Sequence, residues 1–315
     1  MAGAWATTRQ TLLRACALGA IVGGFLLPTA SPGPATSATR PGAAPPALAQ
    51  PLALAPGPDA VPAYELQPGA SPPRLTQAGA FLADYNLTIA GLSRSYRVFV
   101  PSGLVGPVPV VVALGGVATR ADPDLYMQWR ALARRKHFVV LEPRGHDFSW
   151  NAGRCCGSAA RDGVDDVAAI AEMIRSAGHL YPLDPHRVYV VGFSNGGMMA
   201  YEYACRRPDA VAGIGVVAAA YMSPCRPRRG VPVMQVHGTA DGVLPYAGGM
   251  SRLLGIPVPS TRSSDAVFGE LDAATGVPVE TVHLAGVDHA WPRPGWQGGY
   301  DTTSRLYTFL FAMHS

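Results

Sequence analysis

The chain carries little charge and spreads it thinly. Asp, Glu, Lys and Arg make up only 15% of the 315 residues, and the formal net charge at pH 7 is +4. The basic residues cluster only briefly, at 134–136 and 226–229. A nucleic-acid-binding domain needs a basic face that neutralises many phosphates. The composition therefore excludes nucleic acid as the expected partner.

Long hydrophobic runs are also missing from the sequence. The most apolar stretch, Ala15–Leu27, has 13 residues, whereas a membrane-spanning helix needs about 20. Two arginines precede this stretch and small residues follow it, which is the pattern of an export signal. We expect residues 1–30 to be a signal peptide that is removed near Ala30 or Ala38, and we expect no stable insertion into a membrane.

Cysteine is scarce. One of the five cysteines falls within the predicted signal, which leaves Cys155, Cys156, Cys205 and Cys225. An even number of cysteines in an exported chain favours disulfides. Adjacent cysteines are poorly placed for disulfide geometry, so we expect Cys155 and Cys156 each to pair with Cys205 or Cys225, in either combination. A zinc site is the alternative, but adjacent cysteines lack the usual spacer between ligands. We therefore predict no metal and no other cofactor.

Proline is concentrated near one end of the chain. Thirteen of the 30 prolines lie between Pro28 and Pro73, among alanine, glycine and serine and almost no charge. Such a composition is typical of an extended linker rather than a packed core. The sequence therefore predicts three parts: the signal at 1–30, a linker at 31–78 and a catalytic domain at 79–315.

Short apolar runs alternate with segments of helical periodicity along this domain. Predicted strands lie at 96–100, 108–114, 138–141, 188–191, 214–217, 231–236 and 279–284. Predicted helices lie at 123–135, from 165 onward, at 198–205 and at 303–313. This alternation predicts an α/β fold, with a mostly parallel, doubly wound sheet and helices on both faces.

A serine flanked by glycines marks the turn after one of these strands. Ser194 lies in the sequence Gly-Phe-Ser-Asn-Gly at 192–196, between a predicted strand and a predicted helix. In a nucleophile elbow this turn is so tight that a Cβ at either flanking position would clash, which requires glycine there. The turn exposes the serine hydroxyl, so Ser194 is the candidate nucleophile.

A serine nucleophile needs a histidine to take its proton and a carboxylate to orient that histidine. In a doubly wound sheet both come from loops after later strands, in the chain order serine, acid, histidine. Asp241 and His289 each follow one of the last two predicted strands, which makes them the candidate acid and base. Asp288 is a rival acid and His237 a rival base, but Asp288 is next to the histidine in sequence and His237 precedes the acid.

The negative charge that develops on the substrate carbonyl needs two fixed N–H donors. One should be the backbone of Asn195, directly after the nucleophile and at the start of a helix. The second should come from Gly116 or Val117, in the loop after the strand at 108–114, where glycine permits a close backbone approach. A plain glycine turn is the alternative interpretation of this loop.

Five separated motifs occur in a fixed order along the domain. They are Trp-Asn-Ala-Gly-Arg-Cys-Cys at 150–156, Val-Asp-Asp-Val at 164–167, Asp-Pro-His-Arg-Val-Tyr-Val-Val-Gly-Phe-Ser-Asn-Gly-Gly-Met-Met-Ala at 184–200, His-Gly-Thr-Ala-Asp at 237–241 and His-Ala-Trp-Pro at 289–292. Together they resemble the secreted poly(3-hydroxybutyrate) depolymerase and feruloyl esterase family, which consists of α/β-hydrolases acting on carboxylic esters. The resemblance covers the chain from about residue 81 to its end. It implies the α/β-hydrolase fold, with Ser194, Asp241 and His289 as the catalytic triad.

The chain departs from the family pattern at two places. The family commonly has Leu-His-Gly in the oxyanion loop, where this chain has Leu-Gly-Gly at 114–116, and Asp288 stands where glycine is frequent. Neither change removes a triad residue. In this family a tryptophan beside the histidine helps to wall the cleft, so we predict that Trp291 binds substrate, with Trp150 as a second candidate. Burial in the core is the alternative for both rings.

These observations predict a secreted serine esterase that acts as a monomer on an ester substrate, either a polyester oligomer or an acylated plant polysaccharide. The segment between the acid and the histidine is short, which predicts an open, shallow cleft without a large lid. An exported acyltransferase of the mycolyl type and a catalytically inactive carbohydrate-binding protein are the alternatives on this fold. A peptidase of the prolyl oligopeptidase type would need a propeller domain, for which the predicted linker is too short.

Overall fold

The computed structural model describes residues 80–118 and 120–312, so the predicted signal peptide and linker lie outside the described residues. The strands are β1 (Phe81–Ile89), β2 (Leu92–Val100), β3 (Val108–Leu114), β4 (Val139–Pro143), β5 (Leu183–Phe193), β6 (Gly213–Val217), β7 (Val233–Gly238), β8 (Gly249–Ser251), β9 (Ile256–Val258) and β10 (Val279–Leu284). The helices are α1 (Asp124–Met127), α2 (Trp129–Lys136), α3 (Gly157–Arg161), α4 (Asp166–Leu180), α5 (Asn195–Arg206), α6 (Thr261–Thr275) and α7 (Thr302–Phe311). Two short 3-10 turns lie at Pro208–Ala210 and Gln297–Gly299.

Eight strands form one sheet in the spatial order β1-β2-β4-β3-β5-β6-β7-β10, while β8 and β9 form a separate hairpin. Strand β2 runs antiparallel to both of its neighbours, and all other neighbouring strands in the large sheet are parallel. The carboxyl ends of the parallel strands therefore meet at one edge of the sheet. The loops that follow β3, β5, β7 and β10 come together there.

Side chains alternate between the two faces of the sheet, and each face has its own core. On β3, Val110 and Val112 join one buried cluster together with residues of α4, α5 and α6. Val111 and Ala113 join a second cluster with residues of α2 and α7. Because both faces are covered, the central strands are buried along their whole length, which is the expected pattern for a parallel sheet between helices. The predicted doubly wound α/β architecture is confirmed.

Three features differ from the sequence prediction. The helix predicted at 123–135 is divided into α1 and α2, because Gln128 adopts left-handed backbone angles with φ of 60°. The strand predicted at 231–236 begins at Val233 and continues to Gly238. Helices α3 and α6 and the β8–β9 hairpin were not predicted. The two strands of the hairpin have only three residues each, too few to display a hydrophobic period.

Candidate active site

Ser194 occupies a strained turn between β5 and α5. Its backbone has φ of 55° and ψ of −123°, a region that residues with a Cβ rarely adopt. The Ser194 N–H donates to the carbonyl oxygen of Val217 at 2.9 Å, which ties the turn to β6. A Cβ at Gly192 would overlap the backbone of Gly196, and one at Gly196 would overlap the carbonyl oxygen of Leu114. Both glycines are therefore required for the approach of α5 to β3 and β5.

The loops after β7 and β10 bring an acid and a histidine to this serine. Ser194 Oγ lies 3.0 Å from His289 Nε2, and His289 Nδ1 lies 2.9 Å from Asp241 Oδ2. The Asp241 carboxylate accepts a hydrogen bond from Nδ1–H, so Nε2 is the nitrogen that accepts a hydrogen bond from the serine hydroxyl. The structure thus joins three residues that are 95 and 48 positions apart in the chain.

The Asp241 carboxylate is completely buried and fully hydrogen-bonded. Burial alone would raise the pKa of Asp241, but hydrogen bonds from His237 and His289 and from the backbone N–H of Leu244 outweigh it and hold this pKa well below its ordinary value of 3.8. Oδ1 also accepts from the N–H of Val243 at 2.9 Å and from that of Leu244 at 2.8 Å. A carboxylate held in this way remains ionised and keeps the histidine oriented.

Asp288 and His237, the alternative candidates for the acid and the base, have other hydrogen-bond partners. Asp288 Oδ1 accepts from the N–H of Gly242 at 3.0 Å and from that of His289 at 2.7 Å, so it caps the loop backbone and does not contact the imidazole. His237 is buried at the end of β7, with Nε2 3.1 Å from Asp241 Oδ2 and 3.0 Å from the carbonyl oxygen of Leu244. His237 therefore contacts the Asp241 carboxylate and does not contact Ser194. Its adjacency to Asp241 in sequence was the only signal of this role.

The predicted oxyanion donors border the serine. Asn195 is the first residue of α5, and Gly116 packs so closely that a Cβ there would lie 3.4 Å from the Cβ of Ser194. In the same loop, Ala118 donates its N–H to Phe148 O at 2.8 Å, so that group is already used. Asn195, Gly116 and Val117 all line the cleft at Ser194, and the role of their N–H groups as oxyanion donors stays a prediction.

Trp150 contacts both segments that carry the predicted oxyanion donors, the start of α5 and the loop after β3. Its backbone N–H donates to Asn195 Oδ1 at 2.8 Å, and its carbonyl oxygen accepts from Asn195 Nδ2 at 3.0 Å. Its indole Nε1–H donates to the carbonyl oxygen of Gly115 at 3.0 Å. The indole therefore holds the loop at the position where the related family commonly has histidine. Sequence reasoning singled out Trp150 but assigned it a different role.

The two tryptophans predicted to bind substrate are both buried, and their substrate-binding role stays a prediction. Trp291 is 1% exposed and belongs to the core cluster beneath the sheet, where its Nε1–H donates to Thr303 Oγ1 at 3.0 Å. Trp150 is 2% exposed and borders a cavity of about 350 Å³ whose lining includes Gly115 and Gly116 but not Ser194. Both rings are buried because α7 covers Trp291 and the oxyanion loop covers Trp150.

The cleft at Ser194 is small and its walls are mostly apolar. It has a volume of about 160 Å³. Its lining residues are Gly116, Val117, Cys156, Phe193, Ser194, Asn195, Met198, Val243, Leu244, Leu253, Leu254 and His289. The turn of the β8–β9 hairpin supplies Leu253 and Leu254, so the segment between the acid and the histidine contributes a wall that the sequence did not predict.

The cysteine pairing differs from the expectation. The structure joins Cys205 to Cys225, whose Cα atoms are 6.2 Å apart, and joins Cys155 to its neighbour Cys156. Cys156 contacts Met198 in the first turn of α5, whereas Cys205 lies in its last turn. Roughly 10 Å of helix separates these two positions, which is farther than a disulfide reaches. Cross-pairing of Cys156 with Cys205 is thereby excluded.

Two further observations concern metal and membrane. Among residues 80–118 and 120–312, His, Cys, Asp and Glu side chains form no group of three or more that is arranged to hold a metal ion. Within the same ranges, none of the helices combines the length and the apolar composition that crossing a membrane requires.

Comparison with known proteins agrees with the fold. Residues 108–249 match the family model described as the alpha/beta hydrolase fold. The chain is 31% identical over 161 residues to the bifunctional acetylxylan esterase/xylanase XynS20E of Neocallimastix patriciarum, covering 50% of this chain and 22% of the relative. It is 30% identical over 139 residues to feruloyl esterase B of Piromyces equi, covering 41% of this chain and 25% of the relative.

A solved structure gives the same fold. The chain superposes on LpqC, a poly(3-hydroxybutyrate) depolymerase from Bordetella parapertussis, with a TM-score of 0.50 and 19% identity, covering 67% of this chain and 85% of that one. The chain therefore has the α/β-hydrolase fold, with a serine, a histidine and an aspartate in relay at the edge of the sheet. Its resemblance to the depolymerase and feruloyl esterase group is confirmed. The chain spans between 22% and 58% of the lengths of the first curated relatives that it matches.

Proposed function

We propose that this protein is a serine hydrolase of carboxylic esters that works through an acyl-enzyme on Ser194. The observation that carries the proposal is the continuous hydrogen-bonded relay from Ser194 through His289 to Asp241, with distances of 3.0 and 2.9 Å. Relatives named as esterases support the same reaction class. The candidate substrates at this level are esters of the polyhydroxyalkanoate, feruloyl and acetylated polysaccharide types, which are the types that the resemblance implies.

The first half-reaction transfers the acyl group to the enzyme. His289 Nε2 takes the hydroxyl proton of Ser194 while Oγ bonds to the ester carbonyl carbon. The carbonyl oxygen becomes an oxyanion and accepts hydrogen bonds from Asn195 N–H and from Gly116 or Val117 N–H. When the tetrahedral intermediate collapses, the carbon–oxygen bond to the alcohol breaks and His289 returns the proton to the leaving alcohol.

The second half-reaction releases the acid. His289 takes a proton from water as the water oxygen attacks the acyl carbon, and the bond to Ser194 Oγ breaks with return of the proton to the serine. Asp241 stabilises the imidazolium in both halves and stays ionised throughout. No step requires a metal or an organic cofactor.

The test is turnover of an ester panel by the purified protein and by the Ser194→Ala variant. We expect release of acid from methyl ferulate, acetylated xylan, hydroxybutyrate oligomers or short p-nitrophenyl esters, and a loss of about 10⁴-fold or more in kcat in the variant. A fluorophosphonate probe should label the wild-type protein and leave the variant unlabelled. Unchanged turnover by Ser194→Ala would end the proposal.

Export to the outside of the cell is a part of the same proposal. It is supported by the predicted signal at 1–30 and by the disulfide between Cys205 and Cys225, a bond that persists in oxidising compartments. We expect the mature protein in the culture medium of its host, beginning near Ala30 or Ala38. Mass spectrometry of the intact secreted chain measures this end directly.

A further inference from the structure

We infer that the acyl group of the substrate is a short aliphatic chain of up to about six carbon atoms. The inference rests on the proposed esterase function and concerns the same cleft. It is drawn from the chemistry, the volume and the anchoring of the walls around Ser194.

The walls of the cleft offer an acyl group almost no polar partner. Apart from Ser194, Asn195 and His289, the lining consists of apolar side chains and Gly116. The Asn195 amide is already paired on both sides with the backbone of Trp150. A phenolic hydroxyl bound in this cleft would lose its water without gaining a hydrogen bond, which disfavours it. An unsubstituted hydrocarbon chain loses nothing in the same position.

The volume limits the length of the chain. The cleft holds about 160 Å³, and an apolar cavity of about 150 Å³ in another protein accommodates one benzene molecule. A feruloyl group adds a three-carbon linker, a methoxy group and a hydroxyl to such a ring, so it is too large to be enclosed by the cleft. A longer aliphatic chain would have to leave the cleft past Leu253, whose side chain is 68% exposed to solvent.

The wall opposite α5 is fixed in place, so it does not widen easily. The buried Ser251 hydroxyl donates to the carbonyl oxygen of Val243 at 2.7 Å and accepts from the N–H of Leu254 at 3.2 Å. The first bond ties the β8–β9 hairpin to the loop that carries Asp241, and the second fixes Leu254 within the turn of the hairpin. Leu254 and Val243 also pack against the main core cluster. The length limit is therefore set by Leu254, which we assign as the specificity-determining residue.

The first test is the acyl-chain profile of the wild-type protein with one constant leaving group. We would measure kcat/KM for the p-nitrophenyl esters of acetate, butyrate, hexanoate, octanoate, dodecanoate and ferulate. The expected maximum lies at butyrate or hexanoate, with values for dodecanoate and ferulate at least about tenfold lower. A ferulate value equal to or above that of butyrate would overturn the inference.

The second test changes the wall itself. Leu254→Ala should move the maximum toward octanoate and raise the ratio of octanoate to butyrate about tenfold, whereas Leu254→Phe should move the maximum to acetate. Met250→Ala is the matched control, because Met250 lies on the same hairpin, is 60% exposed and does not line the cleft. If both Leu254 variants keep their melting temperature and show the same acyl-chain profile as Met250→Ala, then Leu254 does not set the length limit.

Failure of the inference is distinguishable from failure of the proposed function. If the esters are turned over but the ranking of their kcat/KM values differs from the one predicted, the esterase proposal stands and the length limit is wrong. If no ester in the panel is turned over and the fluorophosphonate probe does not react, the catalytic proposal fails and the limit fails with it.

Discussion

At the residue scale, the candidate site depends on hydrogen bonds that hold a few groups in place rather than on the triad alone. Trp150 contributes three of them, two through its backbone to Asn195 and one through its indole to Gly115. The chain has glycine instead of histidine at position 115. The indole N–H of Trp150 holds the loop after β3 in place by donating to the carbonyl oxygen of Gly115. We therefore expect Trp150 to position both halves of the predicted oxyanion site.

Trp150→Phe removes the indole donor and keeps an aromatic ring. We expect kcat to fall about tenfold and KM to change less than about twofold, because a displaced oxyanion loop weakens transition-state stabilisation and not ground-state binding. Steady-state kinetics on one p-nitrophenyl ester measures both.

Trp129→Phe is the matched control. Trp129 is equally buried, and its Nε1–H has no hydrogen-bond partner among the described residues. This variant should leave kcat unchanged at a comparable loss of melting temperature. Equal kinetic losses in the two variants would show that packing alone explains the effect.

Asp241 links the chemistry to the stability of the fold. Asp241→Asn should lower kcat by about 10³–10⁴-fold, because an asparagine does not hold the imidazole in the reactive tautomer. The pKa of Asp241 in the folded protein is depressed below 3.8, so the unfolded chain binds more protons in the interval between the two values. The stabilisation by the ionised carboxylate is therefore complete above about pH 4 and is lost as the pH falls further.

Urea unfolding at a series of pH values measures this stabilisation. The free energy of unfolding of the wild type minus that of Asp241→Asn should be constant near neutral pH and should shrink below about pH 4. A difference that does not depend on pH over the acidic range would contradict a depressed pKa.

At the scale of single elements, the elbow between β5 and α5 requires glycine because the backbones of α5, β3 and β5 approach so closely there that a Cβ does not fit. Gly196→Ala would place a Cβ on the carbonyl oxygen of Leu114. We expect a loss of about 2–3 kcal/mol in the free energy of unfolding, together with a large loss of activity as Ser194 is displaced.

Gly178→Ala is the matched control for this change. Gly178 lies in α4, is exposed to solvent and has open space where a Cβ would go. Alanine is the better helix former, so this variant should gain about 0.5–1 kcal/mol with unchanged kcat. Denaturant titration of both variants tests the pair, and equal effects at the two positions would contradict the steric explanation.

At the scale of the whole molecule, the sheet, both core clusters and the candidate site all lie between residues 80 and 312. A chain that lacks residues 1–78 should therefore keep its kcat/KM within about twofold and its melting temperature within about 4 °C, which corresponds to roughly 1 kcal/mol or more at this size. Comparison of the two purified forms by calorimetry and ester hydrolysis is the measurement. A soluble truncated protein without activity would show that the removed segment completes the site.

The candidate nucleophile and the chain order of its partners were predictable because each depends on local sequence, whereas the predicted boundaries at residues 30 and 78 stay predictions. Glycines on both sides of Ser194 report a turn that only glycine permits, and the regular alternation of elements places Asp241 and His289 after the strands that end beside it. The burial of Trp291 was not predictable, because adjacency to His289 does not say which face of a loop a ring covers. The hairpin at 249–258 was not predicted, because strands of three residues are too short to show an alternation of apolar and polar residues.

The sequence by itself thus determined the fold class and indicated which three side chains meet at the edge of the sheet, since both follow from periodicity, glycine geometry and chain order. Only the tertiary structure decided that Cys205 pairs with Cys225, that Trp150 lies behind the oxyanion loop and that Leu254 bounds the cleft. These are contacts between segments far apart in the chain. Their distances depend on how helices and loops pack across the sheet, which no local pattern encodes.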